Sequence, residues 1–189
     1  MQLDRSCGLI VVDMQEDFMD GGPLGMAGAR DLIGSLNRVI EHFATKAGAV
    51  CYTRDWHPEN HCSFKKNGGP WPVHCVKNTK GASFSKGLRV LEEGVVISKA
   101  TRSHEEAYSG FRGTELADIL RDRGISKVFV TGVATEYCVF ETVMDALSLG
   151  FVTFVLTDCV LGVDEQSCSK ALARMKQKGA GLIKAADLY

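Results

Sequence analysis

Three residues of different chemistry each follow an apolar run in this chain. Asp13 comes directly after Ile10-Val11-Val12, and Lys99 after Val95-Val96-Ile97-Ser98. A third run, closing at Thr131, leads through Gly132-Val133-Ala134-Thr135-Glu136-Tyr137 to Cys138. A carboxylate can work as acid or base, a lysine can lower the pKa of a neighbouring thiol, and cysteine is most nucleophilic as its thiolate. Each residue taken singly has a plainer reading: a cap or turn residue for Asp13, a surface lysine for Lys99, a buried core thiol for Cys138. Thr135 reads as a helix N-cap, which puts Cys138 near the third helical residue. There the helix dipole and unpaired backbone N–H groups favour a thiolate.

A second group follows the next apolar run. Asp55-Trp56-His57-Pro58-Glu59-Asn60-His61 is succeeded by Trp71-Pro72-Val73-His74, so three of the five histidines and an aspartate fall within twenty residues. Aspartate with imidazoles is a ligand set for zinc, iron or manganese that leaves positions open for water or substrate. The alternative is a loop of satisfied surface histidines.

These residues need a scaffold that brings strand ends together. Short, β-rich, continuously apolar runs at 7–12, 49–53, 95–98, 127–131, 151–156 and 180–183 predict strands covered on both faces. Helical spacing predicts helices at 31–46, 114–123, 135–149 and 164–178, with Gly48, Gly124, Gly150 and Gly179 as stop signals. The alternation gives an α/β fold: a single-domain, doubly wound, mainly parallel six-stranded sheet with helices on both faces. Ligands of such folds sit at the carboxyl ends of the strands, where Asp13, Asp55, Lys99 and Cys138 fall. The segment at about 54–94 is rich in Gly, Pro, His and Trp and far longer than a usual connection, which marks it as a functional insertion in a domain spanning 1–189. Gly21-Gly22-Pro23-Leu24-Gly25 does not join a strand directly to a helix and lacks a phosphate lysine, so it reads as a turn.

Composition narrows the function. With 189 residues, 45% hydrophobic and 24% charged, the chain is globular, long enough to bury roughly 70% of its unfolded surface, and in need of no covalent staples. Lys plus Arg number 22 against 23 Asp plus Glu, so no basic field attracts nucleic acid or anionic lipid. No membrane-length apolar run and no signal-like start is present, which predicts a cytoplasmic protein with a small-molecule partner. Seven scattered cysteines without a C-x-x-C pair argue against disulfides and a four-cysteine zinc site.

Five motifs in order resemble the isochorismatase-like cysteine hydrolase superfamily and, within it, the nicotinamidases: Val12-Asp13-Met14-Gln15-Glu16-Asp17-Phe18, Asp55-Trp56-His57-Pro58 with His61, Trp71-Pro72-Val73-His74-Cys75, Lys99, and Gly132 to Val139. The likeness covers nearly the whole chain. It implies a catalytic triad of Asp13, Lys99 and Cys138, and metal ligands Asp55, His57 and His74, with His61 at a position that reaches the metal in some members. It also implies a cis peptide bond between Val133 and Ala134, an oxyanion hole from the N–H groups of Ala134 and Cys138, and aromatic walls from Phe18, Trp71 and Tyr108. For these aromatics, Phe18 above all, core packing is the alternative. The implied activity is deamidation of nicotinamide to nicotinate and ammonia through a thioester, in NAD salvage. The implied cofactor is one divalent ion, zinc before iron or manganese, and a homo-oligomer is allowed. A relative acting on carbamoyl or ureido substrates would share the triad but is expected to lack the full metal cluster. A non-catalytic metal-binding or thiol redox protein leaves Asp13 and Lys99 without a purpose.

Overall fold

The computed structural model describes residues 1–189. Six strands, β1 (Cys7–Val12), β2 (Ala49–Asp55), β3 (Val95–Lys99), β4 (Lys127–Val133), β5 (Val152–Leu161) and β6 (Gly181–Ile183), form one sheet in the order β3-β2-β1-β4-β5-β6. Every neighbouring pair is parallel. Every residue of β1 is buried, and only the first of β4 is not, which is why the central strands read as unbroken apolar runs. The edge strands β3 and β6 are only partly covered.

Four helices cover the sheet: α1 (Leu32–Lys46), α2 (Leu116–Asp122), α3 (Phe140–Ser148) and α4 (Glu165–Gln177). Helix α1 buries Leu36, Val39, Ile40 and Phe43 in a core shared with Leu9, Val11 and Phe129. The opposite core takes Leu116 and Leu120 of α2, Val143 and Ala146 of α3, and Ala171 and Met175 of α4 against Ile10, Val12 and Val130. Alternate residues of β1 thus face opposite cores, as the pleat requires. The chain winds outward from β1 to β3, then restarts at β4 beside β1 and winds the other way. The carboxyl ends of β1 and β4 diverge into different loops there and open a crevice.

Two predicted elements shift. The helix predicted at 135–149 is regular only from Phe140; Thr135–Val139 is a π-type turn in which the N–H groups of Tyr137 and Val139 both donate to the Ala134 carbonyl. Thr135 is therefore inside the turn rather than its cap. Strand β5 runs to Leu161 instead of stopping at residue 156, because after a register shift Val160 and Leu161 pair again with Gly132 and Val133 of β4. The connection from β2 to β3 contains no α-helix; it folds back through bridges from Gln15 to Phe84, His57 to Val76 and Phe64 to Trp71. All seven cysteines are free, and no helix is long and apolar enough to cross a membrane.

Gly132 marks the tightest passage between the central strands. Its φ is 101°, and a Cβ there would lie 2.1 Å from the Val12 carbonyl oxygen, directly before Asp13. Gly132→Ala combines a disfavoured backbone with a clash against main chain and should cost on the order of 2–4 kcal/mol. Urea denaturation checks this through a lowered midpoint at unchanged slope; an unaltered midpoint would contradict the close-approach account.

Candidate active site

The four strand ends converge on one ammonium group. Lys99, the last residue of β3, is fully buried, and its Nζ lies 2.9 Å from Asp13 Oδ2, 2.5 Å from Asp55 Oδ1, 3.2 Å from the Ala107 carbonyl and 3.5 Å from Cys138 Sγ. Register explains part of the meeting: Asp55 and Lys99 are opposed at the ends of adjacent strands β2 and β3. Burial opposes the lysine charge, but Asp13 and Asp55 outweigh it and push its pKa well above the ordinary lysine range.

The two carboxylates differ. Burial pushes Asp13 above the usual carboxylate range, more than Lys99 and the 2.6 Å hydrogen bond from Thr53 Oγ1 can offset. Asp55 is buried too, yet Lys99 and His57 hold it below that range. Asp13 also has a left-handed backbone, φ 49°, as do the nearby Cys75 at 45° and Ala100 at 50°. Such conformations are uncommon in non-glycine residues and concentrate at functional sites. Gln15 braces the arrangement from within: its amide donates to the Asp55 and Ala82 carbonyls and accepts from the Asp55 N–H.

Cys138 is buried in the π-type turn, and its thiol is raised well above the ordinary cysteine value. Burial is the main cause, and Asp13 and Asp55 add to it against the pull of Lys99. The helical turn that carries Cys138 runs directly into α3, as the sequence reading places it, but burial and the two carboxylates oppose the thiolate there, with one lysine between them. The peptide bond from Val133 to Ala134 is cis.

Asp55, His57 and His74 are all buried, and their candidate ligand atoms lie within 4.8 Å of one another. His57 gives its Nδ1–H to the Ala100 carbonyl at 3.2 Å, and His74 gives its own to Pro72 at 2.8 Å. Each Nε2 lone pair is thereby left free, and His57 Nε2 is a buried nitrogen without a hydrogen-bond partner. That pattern suits a divalent metal, whose histidine ligands are oriented by a bond at the other nitrogen. One lysine against two buried carboxylates also leaves a negative surplus that a cation would balance. Asp13, Asp55 and Cys138 meet the same distance criterion, but the Lys99 ammonium already fills their midst.

His61 is placed otherwise. Its ring stacks on His57 at 4.1 Å, but Nδ1 is engaged by Ser63 at 2.7 Å and Nε2 by the Glu105 carbonyl at 3.0 Å. Both of its nitrogens are engaged in hydrogen bonds, so in this structure its ring packs against His57 and presents no free lone pair toward Asp55 and His74.

Phe18, Trp71 and Tyr108 line one pocket with Asp55, His74, Ala134 and Cys138. Trp71 Nε1 donates to the Tyr108 hydroxyl at 2.9 Å, and Tyr137 meets Trp71 edge to face at 5.4 Å. Leu24, Met26, Tyr137 and Val163 complete the lining and were not singled out by sequence. Tyr137 had a signal, standing next to Cys138; Leu24 and Met26 lay in or beside a segment that reads as a plain turn.

A doubly wound parallel sheet with Asp, Lys and Cys gathered at its strand ends is the architecture of a hydrolase family. Residues 7–187 match the model described as Isochorismatase domain, and the chain belongs to that family. Within it, the chain is similar to nicotinamidases. It is 36% identical to the nicotinamidase of Escherichia coli (strain K12), covering 92% of this chain and 91% of that one. The pyrazinamidase of Pyrococcus horikoshii in complex with zinc is 49% identical, with a TM-score of 0.92 over 95% of this chain and 99% of the other. PnC1 from L. infantum in complex with nicotinate is 38% identical, with a TM-score of 0.91 over 99% and 98%.

Lys99→Met strips the neutralising charge from two buried carboxylates and should destabilise the metal-free protein by about 3–5 kcal/mol at neutral pH. The deficit should shrink as pH falls, because protonating Asp13 and Asp55 in the variant removes the unpaired charges. Urea midpoints of both proteins between pH 5 and 8 in the presence of chelator measure it. A deficit independent of pH would mean that packing, not charge, holds Lys99 in place.

Proposed function

We propose that the protein hydrolyses the carboxamide of nicotinamide to nicotinate and ammonia, with Cys138 as nucleophile. The observation that carries this reading is one apolar, aromatic-lined pocket faced at once by the thiol of Cys138 and by Asp55 and His74 of the metal-ligand set. The nicotinamidase relatives and the nicotinate complex of the L. infantum protein support the same substrate. In this reading the chain is a single domain whose segment 54–94 supplies the ligand set, working in the cytoplasm on a free small molecule in NAD salvage.

Burial and the two carboxylates raise the Cys138 thiol, so attack is coupled to proton transfer. Asp13, whose carboxyl binds a proton more tightly than an ordinary aspartate, takes the Cys138 proton as Sγ bonds to the carboxamide carbon. The electron pair of the carbonyl moves to oxygen, where the N–H groups of Ala134 and Cys138 receive it. Collapse breaks the C–N bond, and Asp13 returns the proton to the departing ammonia. A thioester remains on Cys138. Asp13 next takes a proton from water as its oxygen attacks the thioester; the sulfur leaves as thiolate and is reprotonated by Asp13. Lys99 stays charged throughout, keeping carboxylate and developing thiolate compatible at 2.9 and 3.5 Å. Phe18, Trp71 and Tyr108 hold the ring and exclude water. Asp55, His57 and His74 would hold one divalent ion, zinc by donor set, which supplies a Lewis-acid contact that orients the ring nitrogen.

Cys138→Ala should lower ammonia release from nicotinamide by about three orders of magnitude or more while metal content and fold persist, since the thiol is nucleophile and not ligand. Cys62→Ser should change little. Residual turnover within tenfold of wild type would remove the covalent step from the account. Chelation, or His57→Ala, should depress kcat/KM for nicotinamide and leave the slow hydrolysis of benzamide, which lacks the ring nitrogen, nearly unchanged. An equal loss for both compounds would overturn the orienting role.

A further inference from the structure

One wall of the pocket is tied to the turn that carries the nucleophile. Val163, in the loop between β5 and α4, lines the pocket mouth and is 67% exposed, so few packing contacts hold it in place. Its backbone is fixed instead by a side chain from Thr135–Val139: the Val163 N–H donates to Glu136 Oε1 at 2.8 Å. The other oxygen, Oε2, accepts the Cys168 thiol of α4 at 3.7 Å. Gly162 lets the chain pass close to this carboxylate: a Cβ there would fall 1.9 Å from Glu136 Oε2 and 2.5 Å from Cys168 Sγ, so both side chains would have to swing aside. The Gly162 backbone therefore lies directly against the half-buried carboxylate, two residues from Cys138 in sequence.

We propose that Glu136 is a specificity-determining positioning residue: its carboxylate locks Val163 to the turn of Cys138, so that the outer pocket wall and the nucleophile keep a fixed separation. The inference rests on the amidase reading of Cys138. The substrates admitted are then flat, small aromatic carboxamides, and rings carrying an extra substituent are rejected because accommodating one would require Val163 to move. Glu136 touches no reacting atom; it acts through Val163. A hydrogen bond to a charged acceptor is worth less where it is exposed, as here, so its loss should shift binding by roughly fivefold to tenfold.

The test compares wild type, Glu136→Gln, Glu136→Ala and Val163→Gly. Glu136→Ala should raise KM for nicotinamide about fivefold with kcat within twofold, and should raise kcat/KM for ring-methylated nicotinamides relative to nicotinamide. Val163→Gly should relax selectivity the same way, and adding it to Glu136→Ala should give little further change. Glu136→Gln keeps an acceptor for the Val163 N–H and should restore most of the selectivity. Amide hydrogen exchange at Val163 reads the tie without any substrate: at least tenfold faster in Glu136→Ala, slow in wild type and in the Gln variant. Unchanged exchange and selectivity in Glu136→Ala, or an equal fall in kcat for every substrate that Gln does not rescue, would overturn the proposal. Slow exchange restored by Gln in a protein whose wild type releases no ammonia from nicotinamide would uphold the tie and overturn the substrate instead.

Discussion

Lys99 sits fully buried at the end of an edge strand, its ammonium 2.9 Å from Asp13 and 2.5 Å from Asp55. A charge in that position persists only if it is paired, and its pairing couples every part of the site. Asp13 belongs to the end of β1, Asp55 to β2, Lys99 to β3, and Cys138 to the turn after β4. Displacing the end of β1 or β2 from that of β3 would unpair a buried charge. The same interaction sets the chemistry. Asp55, held ionised, is left to a cation, while Asp13, pushed toward the neutral form, is left to trade protons with the thiol.

The sheet order makes this convergence available. With β1 and β4 adjacent and the chain winding away on either side, the crevice opens where Asp13 and Cys138 emerge. The long connection after β2 then returns over the crevice with His74 and Trp71, anchored where the His57 N–H meets the Cys75 carbonyl and the Cys75 N–H meets Asp17. Asp17, from the loop after β1, and Gln15 beside it thus fix the metal-ligand segment from the far side of the site. Rigidity in the scaffold and a nearly all-apolar pocket leave a small number of polar groups to define orientation.

Much of this was legible before any coordinates. Continuous apolarity marked β1 and β4 because both faces of each are covered, and polar residues directly after the runs marked the strand ends that matter. The histidine cluster was visible as composition. What sequence could not show was direction. His61 has the spacing of a ligand, yet its nitrogens are spent on Ser63 and Glu105, a fact that depends on residues 105 and 61 meeting in space. The environment of Cys138 was only half visible for a similar reason: the helix start is a local cue, whereas the burial and the two carboxylates from β1 and β2 that raise its thiol are not. Glu136 carried no local signal, because its partner Val163 is 27 residues away in sequence.

The central claim is a covalent acyl intermediate on Cys138, and partitioning of that intermediate tests it most directly. Nicotinamide and methyl nicotinate, which differ only in leaving group, would be turned over in the presence of hydroxylamine, and the ratio of nicotinohydroxamate to nicotinate measured for each. A common thioester predicts that hydroxamate forms at the expense of nicotinate and that both substrates give the same ratio, because the leaving group has departed before the choice is made. A ratio that differs between the two substrates, or the absence of hydroxamate at any hydroxylamine concentration, would contradict the intermediate and with it the role assigned to Cys138.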